Sequence, residues 1–128
     1  MNVSNKTKIA IVGSRKINDY EFIESKFFDL LKNLNLTKDN VMIISGGARG
    51  VDTIAQLIAK KHGIPILIFY PDYKKYGKKA PLVRNIEIVK EADYILAFPS
   101  KDSRGTKFVI SEALRQNKRL IVKYGKTN

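Results

Sequence analysis

The chain has 128 residues, carries 24 Lys and Arg against 12 Asp and Glu for a formal net charge of +12, contains a single His, and lacks Cys and Trp. One globular domain over 1–128 is expected, with a core large enough to need no disulfide or metal, and thiol redox chemistry and thiolate zinc sites are excluded. The longest apolar stretch, Ile64 to Tyr70 with Pro65 inside it, falls far short of the roughly 18 residues of a membrane helix, and the polar start from Met1 to Lys8 does not resemble a signal peptide, so a cytoplasmic protein without a membrane partner is expected.

In chain order, Lys8 to Val12 is a short β-branched run that stops at Gly13-Ser14-Arg15, the pattern of a buried strand entering a loop. Asn18 with Glu21 three residues on predicts a capping box. Ile23, Phe27, Leu30, Leu31 and Leu34 then fall on one face of a helix. Val41 to Ile44 is a second strand that runs into Ser45-Gly46-Gly47-Ala48-Arg49-Gly50. Val51, Ile54, Ala55 and Ile58 give the next helix its apolar face, and Gly63 after His62 predicts its left-handed cap. Ile66 to Phe69 is the third strand.

Tyr70 to Pro81, rich in Lys and Tyr with two Pro and one Gly, reads as a functional loop. Leu82, Ile86 and Val89 mark a helix before the fourth strand, Tyr94 to Phe98. A loop from Pro99 to Arg104 precedes a helix opened by Gly105-Thr106, whose apolar face is Val109, Ile110, Ala113 and Leu114. Leu120 to Val122 is the fifth strand. Strict alternation of short apolar strands with amphipathic helices predicts an α/β fold, a Rossmann-like three-layer α/β/α arrangement around a five-stranded, mostly parallel sheet.

Ligands of such sheets bind beyond the carboxyl ends of the strands. The loops Gly13 to Arg15, Ser45 to Gly50 and Ser100 to Thr106 all lie there, offering backbone N–H groups and helix starts suited to phosphate. Gly46, Gly47 and Gly50 would let the backbone approach a ligand, Thr106 would add a hydroxyl, and Arg15 and Arg49 would add charge. The loops match neither G-x-G-x-x-G nor a Walker loop, which argues against ATP hydrolysis. There is no nucleophile elbow and no His cluster for a metal; His62 reads as a neighbour of a helix cap.

GSR at 13–15, SGGARGVD at 45–52, the segment from Tyr73 to Arg84-Asn85, ADYILAFP at 92–99 and Gly105-Thr106 together resemble the YspA-like branch of the SLOG superfamily, which also contains the LOG phosphoribohydrolases and the Rossmann domain of DprA. The resemblance implies that Gly13, Ser14, Arg15, Ser45, Gly46, Gly47, Arg49, Asp52, Lys79, Arg84, Asn85, Gly105 and Thr106 surround a nucleotide or nucleotide-derived ligand, with no further cofactor and no metal. Arg84 stands nine residues before Asp93, as the active-site arginine of LOG enzymes stands before its aspartate, and its forked guanidinium suits a phosphate or ribose. LOG-like relatives pair through helices, which implies a homodimer.

The chain departs from LOG enzymes where they carry a catalytic Glu after Gly-Thr, because Lys107, Phe108 and Val109 stand there instead. A nucleotide receptor or sequestering module is therefore the expected function. A phosphoribohydrolase that cleaves the N-glycosidic bond of nucleoside monophosphates is the alternative, with Glu112 or Asp52 as its carboxylate. A third reading is single-stranded nucleic-acid binding in the manner of DprA, using the net charge and the lysines and tyrosines of 73–79 as basic and stacking groups.

Overall fold

The computed structural model describes residues 5–125. Five strands, β1 (Thr7–Gly13), β2 (Val41–Ser45), β3 (Ile66–Ile68), β4 (Tyr94–Phe98) and β5 (Arg119–Val122), form one sheet in the order β3-β2-β1-β4-β5. Every pairing in it is parallel, for example Ile9 with Ile43 and Ile11 with Leu96, so the sheet is wholly rather than mostly parallel. The chain steps outward from β1 to β3, returns past β1 to β4, and steps outward again. With right-handed crossovers this reversal places helices on both faces and opens a crevice between the β1 and β4 ends.

The alternation of side chains along a strand divides the core in two. Ile9, Ile11 and Ile43 face α1 (Tyr20–Asn33) and α2 (Val51–His62), among large side chains such as Phe27 and Phe98. Ala10, Val12, Ile44 and Ala97 face α4 (Ala80–Glu91) and α5 (Arg104–Arg115), which contribute Ile88, Val89, Val109 and Ala113. No helix among the described residues is long and apolar enough to cross a membrane. The outer strands are short, three residues for β3 and four for β5, and β5 opens on the exposed Arg119.

Several local expectations change. The α1 cap is Asp19, which accepts from the Phe22 amide at 3.1 Å, in place of an Asn18–Glu21 box; the helix starts one residue later, and a carboxylate there also suits the helix dipole. Gly63 caps α2 in the left-handed conformation as expected, with φ 66°. The segment from Tyr70 to Pro81 is mostly helical. Asp72 caps a short helix, α3 (Tyr73–Tyr76), a 3-10 turn follows at Gly77–Lys79, and α4 starts at Ala80.

Pro81 lies in the first turn of α4, where a missing N–H costs nothing. The buried face of α4 is Ala80, Asn85, Ile88 and Val89, which rotates Leu82 and Ile86 outward to 44% and 38% exposure. Leu114 on α5 is likewise 63% exposed rather than in the core.

Candidate functional site

The C-terminal edge of the sheet carries a crevice of about 1030 Å³ lined by the end of β1, the loops that follow β1, β2 and β4, and the starts of α4 and α5. Ser14 holds its rim together. Its amide donates to Phe98 O at 2.9 Å, its carbonyl accepts from Val51 N at 3.2 Å, and its hydroxyl accepts from Ser100 Oγ at 2.7 Å and from Lys16 N at 3.0 Å. The loops after β1 and β4 and the start of α2 are therefore joined through one residue.

The glycines of this rim serve the protein's own packing. A Cβ on Gly13 would lie 2.7 Å from Phe98 O and from Val51 Cγ2. Gly50, at φ +74°, has Ser14 O within 2.5 Å of where a Cβ would be, and Gly47, at φ +72°, has the Tyr70 ring at 2.7 Å. Gly46 faces the Arg84 guanidinium and the Asp52 carboxylate. The close approach expected toward a ligand is thus an approach between segments of this chain. Gly13, Gly46 and Gly47 still line the crevice with their backbone.

Arg84 and Asp52 flank Gly46. Nη1 of Arg84 donates to Gly46 O and, at 3.5 Å, to Phe69 O, while Nε donates to Asn85 Oδ1 at 2.7 Å. These bonds fix the guanidinium and leave Nη2 without a partner among the described residues. Asp52 is buried at 6% exposure; Oδ2 accepts from Ala48 N at 3.1 Å, and Oδ1 has no hydrogen-bond partner among the described residues. Burial pushes its carboxyl up to about 6, against the opposing pull of the Ala48 amide and the Arg84 charge. Burial also lowers Arg84, an effect that the Asp52 charge opposes.

The start of α5 is built differently. Its N-cap, Ser103, makes no side-chain cap bond; the hydroxyl accepts from Ser100 N at 2.8 Å and donates to Ser100 O at 2.9 Å. The first i→i−4 bond of the helix is Lys107 N to Ser103 O. The amides of Gly105 and Thr106 precede it at the positive end of the helix dipole, and both residues line the crevice. A Cβ on Gly105 would meet only Asn85 Nδ2, at 3.8 Å.

Of the residues expected at the site, Gly13, Ser14, Arg15, Gly46, Gly47, Arg49, Asp52, Arg84, Asn85, Gly105 and Thr106 come together around this crevice. Ser45 does not. It is wholly buried, its hydroxyl donating to Asp52 O and accepting from Gly47 N, both at 3.3 Å, so it braces the loop from below. Lys79 is exposed in the turn before α4 and lies off the crevice wall. Glu112 is also outside the lining. Arg115 and Gln116 take its carboxylate and hold it below the usual range, on its own helix and off the crevice wall. His62 bonds Glu24 at 2.7 Å, away from the crevice.

Sequence reasoning missed Arg104 and the exposed ion pair of Lys16 with Asp102 at 3.0 Å, both at the crevice, and assigned Tyr73 to a basic stacking surface for nucleic acid where the structure puts it on the crevice wall. Placing the α5 start at Gly105 assigned Arg104 to a loop. Ser103 as an N-cap residue was the available signal, since it moves Arg104 into the first helical turn.

The sequence pattern of the YspA, cpYpsA-related SLOG family matches residues 7–76. The Gene 61 protein of Mycobacterium phage D29 is 34% identical over 112 residues, 83% of this chain and 87% of that protein. Among solved structures, DNA processing protein A (DprA) from Streptococcus pneumoniae superposes with a TM-score of 0.73 at 17% identity, over 94% of this chain and 51% of that one. DprA from Helicobacter pylori, described with a single-stranded DNA binding mode, gives 0.71 at 22% identity, over 98% of this chain and 69% of that one. The chain thus spans about half the length of the Streptococcus structure.

Proposed function

The chain belongs to the YspA, cpYpsA-related SLOG family, and from that premise we propose that its crevice binds a phosphorylated, nucleotide-type small molecule, as a receptor or sequestering module. One observation carries the reading. Arg15, Arg49, Arg84 and Arg104 converge with the open amides of Gly105 and Thr106 on a single cavity. Lys16 there is matched by Asp102, which leaves Asp52 as the one carboxylate set against four guanidinium groups. Forked, permanently charged groups beside free helix-start amides favour a phosphate. The cavity is at the upper end of the roughly 300–1,000 Å³ typical of ligand sites.

Hydrolysis of an N-glycosidic bond would rest on Asp52 alone, because Glu112 is held by its own helix. Single-stranded DNA is the second reading, supported by the likeness to the H. pylori protein and by the exposed Tyr70 and Tyr73 beside Lys74, Lys75, Lys78 and Lys79. Such binding would weaken steeply with salt.

Equilibrium dialysis against nucleotides, nucleosides and a short single-stranded oligonucleotide, read by mass spectrometry, tests these readings together. Retention of one intact nucleotide is the expected result. Free base with ribose phosphate would instead establish the hydrolase, and retention of the oligonucleotide alone would move function to the basic surface.

A further inference from the structure

The crevice has two unlike ends. At one, Arg104, Gly105 and Thr106 offer charge, amides and a hydroxyl; at the other, the segment 71–82 presents Pro71, Tyr73, Pro81 and Leu82. Tyr73 is the sole aromatic residue lining the crevice among those described, and it is 61% exposed. Its neighbours along the chain are differently placed. The Tyr70 ring lies against Gly47, and the Tyr76 ring has Lys75 Nζ 5.2 Å from its centroid. The Tyr73 ring has no stacking or cation–π partner among the described residues. Its side chain stands within range of the Arg84 guanidinium, next to the fixed part of the site.

A free aromatic face between two prolines and a leucine, opposite a cationic end, matches a ligand that is flat and apolar at one end and anionic at the other. We infer that Tyr73 is the platform on which the base of the ligand stacks, so that a nucleotide enters in one direction, base against the 71–82 wall and phosphate at the start of α5. The inference rests on the reading of the crevice as a nucleotide site and deepens it, because it makes the base a determinant of affinity. Tyr73 is then a specificity residue, and the ribose lies beside Arg84 and Asn85.

The test compares AMP with ribose 5-phosphate, which differ by the base alone, on the full chain by calorimetry. AMP binds the unaltered protein more tightly, Tyr73→Ala loses about tenfold in AMP affinity, in the range of a base–aromatic stack, and affinity for ribose 5-phosphate stays within about twofold. Tyr73→Phe keeps the AMP affinity. The chain has no Trp, so Tyr73→Trp installs a single indole whose fluorescence AMP quenches and ribose 5-phosphate does not.

Equal affinity for the two probes, or AMP affinity unchanged in Tyr73→Ala, overturns the inference and leaves the phosphate site standing. Failure of the unaltered chain to bind either probe overturns the reading of the crevice itself. Tyr73 is mostly exposed, so none of these variants disturbs the core.

Discussion

The Gly-rich loop of 45–50 and the loop of 100–106 stand on either side of β1, and they teach opposite lessons about glycine. The first has the composition of a phosphate loop, yet Gly47 and Gly50 answer to the Tyr70 ring and to the backbone of Ser14 and Arg15. The second has one glycine, unhindered and in ordinary backbone geometry, and it lines the crevice beside Thr106. Glycine content reports crowding of the backbone.

The sharpest way to break this contrast is Gly50→Ala. An alanine held at φ 74° and ψ −126°, outside the left-handed helical well, costs about 1–3 kcal/mol and overpacking against Ser14 about 1–3 kcal/mol more, so a loss of roughly 4 kcal/mol is expected in denaturant unfolding. A midpoint equal to that of the unaltered chain would show that this loop is not held by backbone contact.

Asp52 comes next. Its carboxyl titrates near 6 in the native chain against an ordinary 3.8, so the native state keeps the proton to higher pH than the unfolded one. The contribution of this group to stability is then greatest below about pH 4, falls as the pH rises through about 6, and leaves the protein about 3 kcal/mol less stable at neutrality than with an unshifted group. Asp52→Asn should flatten that slope between pH 4 and 6. Parallel stability curves for the two proteins would place the charge elsewhere.

Arg104→Ala, by contrast, should leave unfolding unchanged and weaken AMP binding about tenfold, the order expected from one charge-assisted hydrogen bond. Equal affinity would exclude Arg104 from the phosphate end. Smallest of all, Gly105→Ala should stabilise the chain by about 0.4–1 kcal/mol, because among the described residues its new methyl meets nothing closer than 3.8 Å. A large loss there would erase the difference between the two loops.

Much of this was legible in advance. The β-branched runs gave their strands, Gly63 its cap, and the loop motifs most of the crevice, because each depends on neighbours in sequence. What was hidden depends on partners far along the chain. The phase of α4 is set by Ala80, Asn85 and Ile88 meeting the sheet and α5, so Leu82 and Ile86 were misplaced although their spacing is helical. Ser45 carries the motif of a ligand loop yet turns its hydroxyl to Asp52 O, seven residues on. Glu112 was separated from the crevice by side chains three and four residues away on its own helix, a competition that spacing cannot rank.

The margins of the sheet bear on how the protein behaves in concentrated solution. An open sheet presents unpaired N–H and C=O groups at each border, and a long flat border recruits further strands and seeds aggregation. Here one border is three residues long and the other begins with an arginine between Lys118 and Leu120, on a chain whose +12 charge repels its own copies. Strand-by-strand growth is disfavoured at both borders, and the exposed apolar side chains Leu82, Ile86 and Leu114 stand on the helices, away from the sheet borders.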